Sequence, residues 1–462
     1  MSANTIDDLG LVNPLWVNSP AALLSSDARI LQFMLDVECA WMAVLVEGGR
    51  ADPAWLPVVT EACRVEHYNL AEIAREAQGG GNPLIPLLGA LRRRVGETSP
   101  GAAARLHVGA TSQDILDTAL LLVARDVLTE LRADLNGLAD ALERLAREHV
   151  GTLAVARTLG QHSLPGTFGL RAAQWLAGVV AAERQVADVL RQLPLQWGGA
   201  AGTMAALTQF AGDHALVLTD ALAARLGLAL PVAPWQTTRW PMTRIAGSAA
   251  EAVAACTRIA NDVAFLTRPE VAEVAEPQVE GRGGSSAMPQ KQNPVLSVLV
   301  RSASFQAPGA LAQVVAAAAA AVDERPDGAW HAEWAPLRQL LRLAGGAASL
   351  TRELAEGLVV FPERMRANLD AAGPLILTER ITAVVVPLLA EAGIPDGAAQ
   401  IAAAIADTRA GTASLPDLLR AALPRSVVSD ALLADLLDPV AYPGQARQLI
   451  LRIIADRGDS LS

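Results

Sequence analysis

Leucine recurs at residues 128, 131, 135, 138, 142 and 145, in alternating steps of three and four. This spacing places all six side chains on one face of a helix of about five turns, with charged residues on the other faces. Apolar stripes of the same period cover residues 170–193, 247–266 and 294–322. No segment has the strand–turn–helix alternation of an α/β protein. We therefore predict an all-α protein with a long central helix bundle, and we expect the 128–145 stripe to be buried between subunits.

Glycine and proline divide the chain into three regions. They interrupt the helical pattern at 79–83 and 99–101, and the apolar stripes become shorter beyond residue 350. The pattern predicts an N-terminal helical domain at 1–105, a central long-helix domain at 106–350 and a small C-terminal helical domain at 351–462. The central domain contains a glycine-rich segment at 281–294, which we expect to be the catalytic loop.

Charge and cysteine content exclude several classes of partner. A formal net charge of −11 argues against a nucleic-acid partner, because phosphate binding requires clustered Lys and Arg. The three cysteines are too few and too scattered for a disulfide framework or a metal site. The N-terminus lacks the basic and apolar regions of a signal peptide, and the most apolar run, at 313–322, is too short to span a membrane. We expect a cytoplasmic protein without a metal, nucleic-acid or membrane partner.

The segment at 284–294 reads GSSAMPQKQNP and carries several reactive or charged groups. Ser285 and Ser286 supply hydroxyls, Lys291 supplies a cation and Asn293 supplies an amide. A cation and an amide can hold a carboxylate and stabilise negative charge that develops on it. The flanking glycines can act as hinges. The segment therefore indicates a loop that closes over an anionic substrate.

GSSAMPQKQNP resembles the catalytic loop of the fumarase/aspartase superfamily, which includes the argininosuccinate and adenylosuccinate lyases. HVGATSQD at 107–114 and RTLGQH at 157–162 resemble the first and second blocks of adenylosuccinate lyase-type members. MLDVE at 34–38, GGNP at 80–83 and GAWHAEW at 328–334 resemble the 3-carboxy-cis,cis-muconate cycloisomerase subfamily, which has nitrosuccinate lyase-like relatives, and this resemblance runs across residues 13–385. The resemblance implies a three-domain all-α fold, a homotetramer with a twenty-helix core, active sites built from three subunits and no cofactor.

The resemblance also implies a role for each matching residue. Ser285 would be the general base, and Lys291 and Asn293 would bind the carboxylate that becomes an aci-carboxylate. The substrate, a small anionic dicarboxylate or tricarboxylate, would be bound further by Thr111, Ser112, Gln161, Ser286, Met288 and Arg325. Arg157 is a second candidate arginine. His107 is open between substrate contact and a structural role, whereas His162 is expected to be structural.

Departures from the superfamily pattern bear on the substrate. Thr158-Leu159 replaces the Thr-His that carries the general-acid histidine of fumarases and adenylosuccinate lyases. Cycloisomerases also lack this histidine, so its absence argues against purine or argininosuccinate chemistry. Gln236 and Gln290 stand where cycloisomerases often have histidine, and Gln292 stands where arginine is frequent. A site with fewer acids suits a leaving group that departs as a stable anion. We therefore expect β-elimination from a 2-substituted succinate to fumarate, with nitrite leaving nitrosuccinate as the specific expectation. The alternatives are 3-carboxy-cis,cis-muconate cycloisomerisation and, more remotely, a catalytically silent homologue.

Overall fold

Helices make up nearly all of the regular structure in the computed structural model of the chain, which describes residues 10–284, 287–288 and 290–459. Two short antiparallel strand pairs are the other regular elements in those ranges. The expectation of an all-α protein is confirmed.

Short and medium helices fill the first part of the described chain: α1 (Pro20–Leu24), α2 (Asp27–Glu47), α3 (Trp55–Ala62), α4 (Leu70–Gly80), α5 (Leu84–Gly96) and α6 (Pro100–Arg105). Polar side chains cap three of them, and at the start of α6 the Ser99 side chain accepts the N–H of Ala102. The Ser26 side chain accepts the N–H of Arg29 at the start of α2, and the Asn69 side chain accepts that of Glu72 at the start of α4. Gly81 follows the last residue of α4 as its C-cap, and its φ of 72° lies in the left-handed region that glycine adopts without strain.

The middle of the chain contains five long helices: α7 (Ser112–Glu148), α8 (Phe168–Arg191), α11 (Trp240–Leu266), α12 (Val295–Ala319) and α13 (Gly328–Glu356). Two shorter helices, α9 (Ala205–Ala211) and α10 (Ala215–Leu226), lie between α8 and α11. The four segments with apolar stripes correspond to α7, α8, α11 and α12, so each of these helix predictions is confirmed. Their length follows from the periodicity, because every turn adds further apolar surface to the same face.

The leucine stripe of α7 packs inside the chain itself. Its six side chains, from Leu128 to Leu145, are at most 1% exposed. The expectation that this stripe is buried between subunits is therefore wrong, because neighbouring segments of the same chain already cover it. Periodicity indicates a buried face but carries no information about which surface covers that face.

The four strands form two small antiparallel pairs: β1 (Leu153–Thr158) with β2 (Gln161–Thr167), and β3 (Val274–Ala275) with β4 (Val359–Val360). Thr158 lies opposite Gln161, so residues 159 and 160 form a two-residue hairpin turn. The β1–β2 hairpin thus presents the second sequence block at its tip.

The last described helices are α14 (Pro362–Ala372), α15 (Thr378–Glu391), α16 (Gly397–Arg409), α17 (Leu415–Ala422), α18 (Asp430–Leu436) and α19 (Ala446–Asp459). Leucine, isoleucine and valine side chains of α14 to α18 pack together with Val155 of β1 into one apolar cluster. Leu369, Ile381 and Leu419 are among its buried members. Burying a side chain of this size contributes about 1.5–3 kcal/mol, so the cluster holds these short helices together.

Two compact units, each made of separate stretches of sequence, account for the chain. One unit comprises residues Met1–Leu138, Val179–Ala260 and Val295–Glu353, and the other comprises Ala139–Gly178, Asn261–Pro294 and Leu354–Ser462. The division at residues 105 and 350 stays a prediction.

The helix α12 has an apolar face that its own chain leaves open. Val298, Phe305 and Val315 are 53%, 82% and 48% exposed, respectively. Residues Val295–Ala319 are also long and apolar enough to cross a membrane, with a mean hydropathy of 1.2 and 33% of the apolar window buried. The bent pair Pro362–Ala372 and Pro374–Glu391 passes the same test together. Because core helices of soluble proteins meet these criteria too, the result is weak evidence for a span.

Candidate active site

The first sequence block forms a tight loop directly before α7. His107 and Gly109 have φ angles of 65° and 75°, and the N–H of Ala110 donates to the carbonyl of His107. The indole N–H of Trp41 in α2 donates to the carbonyl of Val108 at 2.9 Å. A left-handed conformation is strained for histidine, so the surrounding contacts must hold this loop in place.

Asp114, in the first turn of α7, organises the loop from below. Its carboxylate accepts four N–H groups, those of Thr111, Gly198 and Gly199 and the side-chain amide of Gln196, at 2.9–3.0 Å. Burial raises the pKa of Asp114 to about 6, although these four donors favour the anion. One buried carboxylate thereby joins the first sequence block to the glycine segment at 198–202.

Thr111 and Arg325 meet in this unit although they are 214 residues apart in the sequence. Nη1 of Arg325 donates to Oγ1 of Thr111 at 3.0 Å, and both residues are partly exposed. Ser112 follows at the first position of α7, where the free N–H groups of the helix favour an anion. This combination of guanidinium, hydroxyls and helix N-terminus is suited to binding a carboxylate.

His107 has a buried acidic partner that sequence reasoning missed. Its Nδ1 lies 2.6 Å from Oε1 of Glu38 in α2. The Glu38 side chain is 1% exposed and the His107 side chain 13% exposed. The carboxylate can only accept, so Nδ1–H of His107 donates.

A second buried charge cluster supports the same unit. Arg239 donates two hydrogen bonds to Asp117, at 2.6 and 3.0 Å, and also pairs with Glu333. The indole N–H of Trp330 donates to Asp117 at 2.8 Å. Burial disfavours the Arg239 charge, but the two carboxylates outweigh this and raise its pKa. Burial raises the pKa of Glu333 despite the nearby arginine.

Gln236 is a structural amide in this arrangement. Its side-chain N–H donates to the backbone carbonyl of Gly199 at 2.6 Å. Its backbone carbonyl accepts a hydrogen bond from the side-chain amide of Gln113 at 2.8 Å. Its Oε1 lies close to Gly198 and Gly202, where an added Cβ would come within 3.0 Å of it. The glycines in this segment are therefore required by close packing.

In the second unit, the β1–β2 hairpin exposes its tip. Leu159 has a φ of 51° and is 103% exposed, and Gly160 follows with a φ of 78°. The neighbouring side chains of Gln161 and His162 are also exposed. The hairpin therefore presents the predicted amide of Gln161 beside an apolar side chain.

Arg157, on the same hairpin, already has a partner. Its guanidinium donates to both oxygens of Glu273, at 2.6 and 3.2 Å, and the Glu273 side chain is 1% exposed. Asn368 donates to the same carboxylate at 2.9 Å. The substrate contact expected for Arg157 stays a prediction, and it would require this buried pair to open.

The glycine-rich loop is closed at its base like a hairpin. Both the backbone N–H and the side-chain amide of Asn293 donate to the carbonyl of Gly283, at 2.8 and 3.0 Å, and Gly284 bridges Gln292. The Lys291 side chain is exposed, and its backbone N–H donates to Met288 at 3.0 Å. Ser285, Ser286 and Pro289 lie outside the described residues.

An open cavity of about 390 Å³ lies at the base of this loop, lined by Gln278, Val279, Glu280, Gly281, Arg282, Gly284 and Gln292. Glu280 and Arg282 give it charges of both signs. Within the described ranges, no group of three or more His, Cys, Asp or Glu side chains is arranged to hold a metal ion.

The described structure therefore divides the predicted site residues between the two units. His107, Thr111, Ser112 and Arg325 belong to one unit, and Arg157, Gln161, Met288, Lys291 and Asn293 belong to the other. Within the first unit, Thr111 and Arg325 come into direct contact. The sequence did not indicate the supporting roles of Glu38, Asp114 and Arg239, although Asp114 lies inside the first block.

Comparison with known proteins places this chain in a family. A family described as Lyase matches residues 69–309. A nitrosuccinate lyase from Streptomyces davaonensis is 43% identical over 453 residues, which cover 97% of this chain and 94% of the relative. A 3-carboxy-cis,cis-muconate cycloisomerase from Bradyrhizobium diazoefficiens is 38% identical, covering 96% of this chain and 97% of the relative.

A solved structure agrees with the sequence relatives. The crystal structure of a 3-carboxy-cis,cis-muconate lactonizing enzyme from Pseudomonas putida matches with a TM-score of 0.87 and 33% identity, covering 96% of this chain and 97% of that one. The fold and the three sequence blocks thus define an all-helical enzyme of the fumarase/aspartase type. The chain belongs to the lyase family of that superfamily.

Proposed function

We propose that this lyase eliminates nitrite from nitrosuccinate and forms fumarate through an aci-carboxylate carbanion. A base removes a proton from the carbon beside one carboxylate, and the electron pair forms the double bond as the C–N bond breaks. Nitrite then leaves with the bonding electrons. It is a stable anion and needs no proton from the enzyme.

One observation carries the choice of leaving group. The position that holds the general-acid histidine in fumarases holds Leu159, which is fully exposed at the tip of the β1–β2 hairpin. An apolar side chain cannot protonate a departing hydroxyl or amine. The 43% identity to the Streptomyces enzyme named nitrosuccinate lyase supports the same choice.

The predicted site residues receive separate roles in this proposal. Thr111, Ser112 and Arg325 bind one carboxylate of the substrate, and Gln161 supplies a further amide donor. Lys291 and Asn293 bind the carboxylate that gains a second negative charge, and Ser285 acts as the general base. A cation at the developing aci-carboxylate lowers the barrier because the negative charge grows toward the transition state.

Cycloisomerisation of 3-carboxy-cis,cis-muconate is the second candidate. The Bradyrhizobium relative, at 38% identity, carries that name, and the Pseudomonas putida structure, at 33% identity, is titled a 3-carboxy-cis,cis-muconate lactonizing enzyme. Gln236 stands where cycloisomerases often have histidine, and this departure favours elimination over the alternative.

Activity on both substrates decides between the two candidates. The purified protein, with no added nucleotide or metal, should release nitrite and fumarate from racemic 2-nitrosuccinate in equal amounts, followed by a colorimetric nitrite assay and by alkene absorbance. Turnover of 3-carboxymuconate at about 1 per second or more, with none of nitrosuccinate, would contradict the proposal.

The same assay tests the base. Ser285→Ala should lower kcat by about 10²–10⁴, the usual cost of losing a general base. Gln290→Ala, in the same loop, is the control for a disturbed loop and should stay close to the parent. Retention of more than about a tenth of the parent rate by Ser285→Ala would remove the serine from the role of base.

A further inference from the structure

We propose that Glu38 is a positioning residue, which holds the Nδ1 proton of His107 so that Nε2 is the atom presented to the substrate. This inference rests on the proposed function, because it takes His107, which the sequence left open between substrate contact and a structural role, to contact that substrate. The contact that carries it joins Nδ1 of His107 to Oε1 of Glu38 at 2.6 Å.

Burial of Glu38 is difficult to explain by stability alone. Its side chain is 1% exposed, and among the described residues its Oε2 is buried without a hydrogen-bond partner. A buried carboxylate with one partner is costly, and a neutral amide would make the same hydrogen bond without the charge. A carboxylate is required where the imidazole must be held in one tautomer and must be able to accept a proton.

A neighbouring thiol and a neighbouring carboxyl group do not provide this contact. The Cys63 thiol interacts with Glu38, but hydrogen bonding to Cys39 and burial raise its pKa well above the ordinary value, so it stays neutral. Asp36 adds only further negative charge near Cys63. Among the described residues, His107 is thus the hydrogen-bond partner of Glu38.

The backbone around His107 is fixed for the same purpose. Glu38 and Trp41 lie one turn apart on α2, and they hold the successive residues His107 and Val108. His107 keeps a left-handed φ of 65°, which is strained for a residue with a side chain. Among the described residues, Nε2 of His107 has no hydrogen-bond partner, so it is free to act on a ligand.

Turnover of single and double variants tests whether Glu38 acts through His107. Asn tolerates a left-handed φ, so His107→Asn removes the imidazole with little added strain. We expect Glu38→Gln to lower kcat about 10-fold with KM changed less than about 3-fold, and His107→Asn to lower kcat about 10²-fold. The double variant should match His107→Asn within about 2-fold. Losses that multiply would overturn the proposal.

A chemical readout works without turnover. Diethyl pyrocarbonate should modify His107 in the parent at pH 8, mapped by peptide mass spectrometry, and Glu38→Gln should slow this about 10-fold because the carboxylate no longer activates Nε2. Trp41→Phe, the control for a loosened loop, should leave the rate equal or faster. Faster labelling in Glu38→Gln, or none in the parent, would overturn the proposal.

The experiments distinguish a failure of the proposed function from a failure of the role of Glu38. If the parent turns over neither nitrosuccinate nor 3-carboxymuconate, the proposed function fails, whereas the labelling result still decides the role of Glu38. If Glu38→Gln does not fold, Glu38→Asp keeps the charge and should label His107 at a rate closer to the parent than Glu38→Ala does. An Asp variant no better than the Ala variant would overturn the proposal.

Discussion

Asp114 shows how a single buried carboxylate can set the shape of a binding loop. Its two oxygens accept one side-chain and three backbone N–H groups, and the backbone groups belong to segments more than 80 residues apart. These N–H groups would otherwise be buried without partners, at a cost of about 1–3 kcal/mol each. The loop that carries Thr111 therefore keeps its shape through Asp114.

Asp114 should also make stability depend on pH. Burial raises its pKa from 3.8 to about 6, so between these values the folded protein binds the proton more tightly than the unfolded chain. The contribution of this proton to the free energy of unfolding is fully present below pH 3.8 and is lost as the pH rises through about 6. Relative to Asp114→Asn, the parent should lose on the order of 1 kcal/mol of unfolding free energy between pH 5 and pH 8.

Urea unfolding of the parent and Asp114→Asn at the two pH values, at equal protein concentration, measures this difference. The asparagine variant should be less stable at both, because its amide N–H₂ faces two N–H donors. If the difference in unfolding free energy between the two proteins is the same at pH 5 and pH 8, Asp114 does not titrate in this range.

At the scale of elements, the β1–β2 hairpin is the least expected feature of the fold. Its two-residue turn requires positive φ at both central positions, for which Asn-Gly is the favoured pair. Leu159-Gly160 occupies it, with φ values of 51° and 78°. A leucine in the left-handed region costs about 1–2 kcal/mol, and its full exposure recovers nothing within the chain. We therefore predict that this side chain contacts the substrate.

Replacing Leu159 should separate stability from activity. Leu159→Asn is expected to raise the unfolding free energy by about 0.5–1 kcal/mol, since asparagine tolerates the turn conformation. It should lower kcat/KM because the apolar contact is lost. Leu23→Asn is the control, since Leu23 is 78% exposed in helix α1, where asparagine relieves no left-handed backbone strain. Chemical unfolding and nitrite release measure the two effects, and a less stable Leu159→Asn would contradict this account.

At the scale of the whole molecule, the apolar faces of α7 and α12 differ in how far the chain itself covers them. The stripe of α7 is covered within the chain, whereas α12 buries Leu296, Val300, Ala303 and Ala307 on one side and leaves Phe305 open on another. From Phe305 to Val322 the exposed positions of this helix and its end carry no charge. A face of this kind is suited to packing against further copies of the chain.

Assembly should therefore depend on α12. We expect light scattering to give a mass about four times the 48.2 kDa of one chain, as the resemblance implies. A charge buried in an apolar interface is costly, so Phe305→Glu with Val315→Glu should shift the mass toward a single chain. Leu449→Glu, a 43% exposed leucine of α19, is the control and should leave the mass unchanged. A parent mass near 48.2 kDa would contradict the prediction.

Sequence alone determined four of the long helices, the three blocks and the class of enzyme. A helix follows from neighbours three and four residues apart, and the blocks are runs of adjacent residues, so both are local properties. Only the tertiary structure decided that Thr111 meets Arg325 across 214 positions, that Glu38 faces His107 across 69, and that the α7 stripe is covered by its own chain. Such pairings depend on how distant helices pack, and no local spacing contains that information.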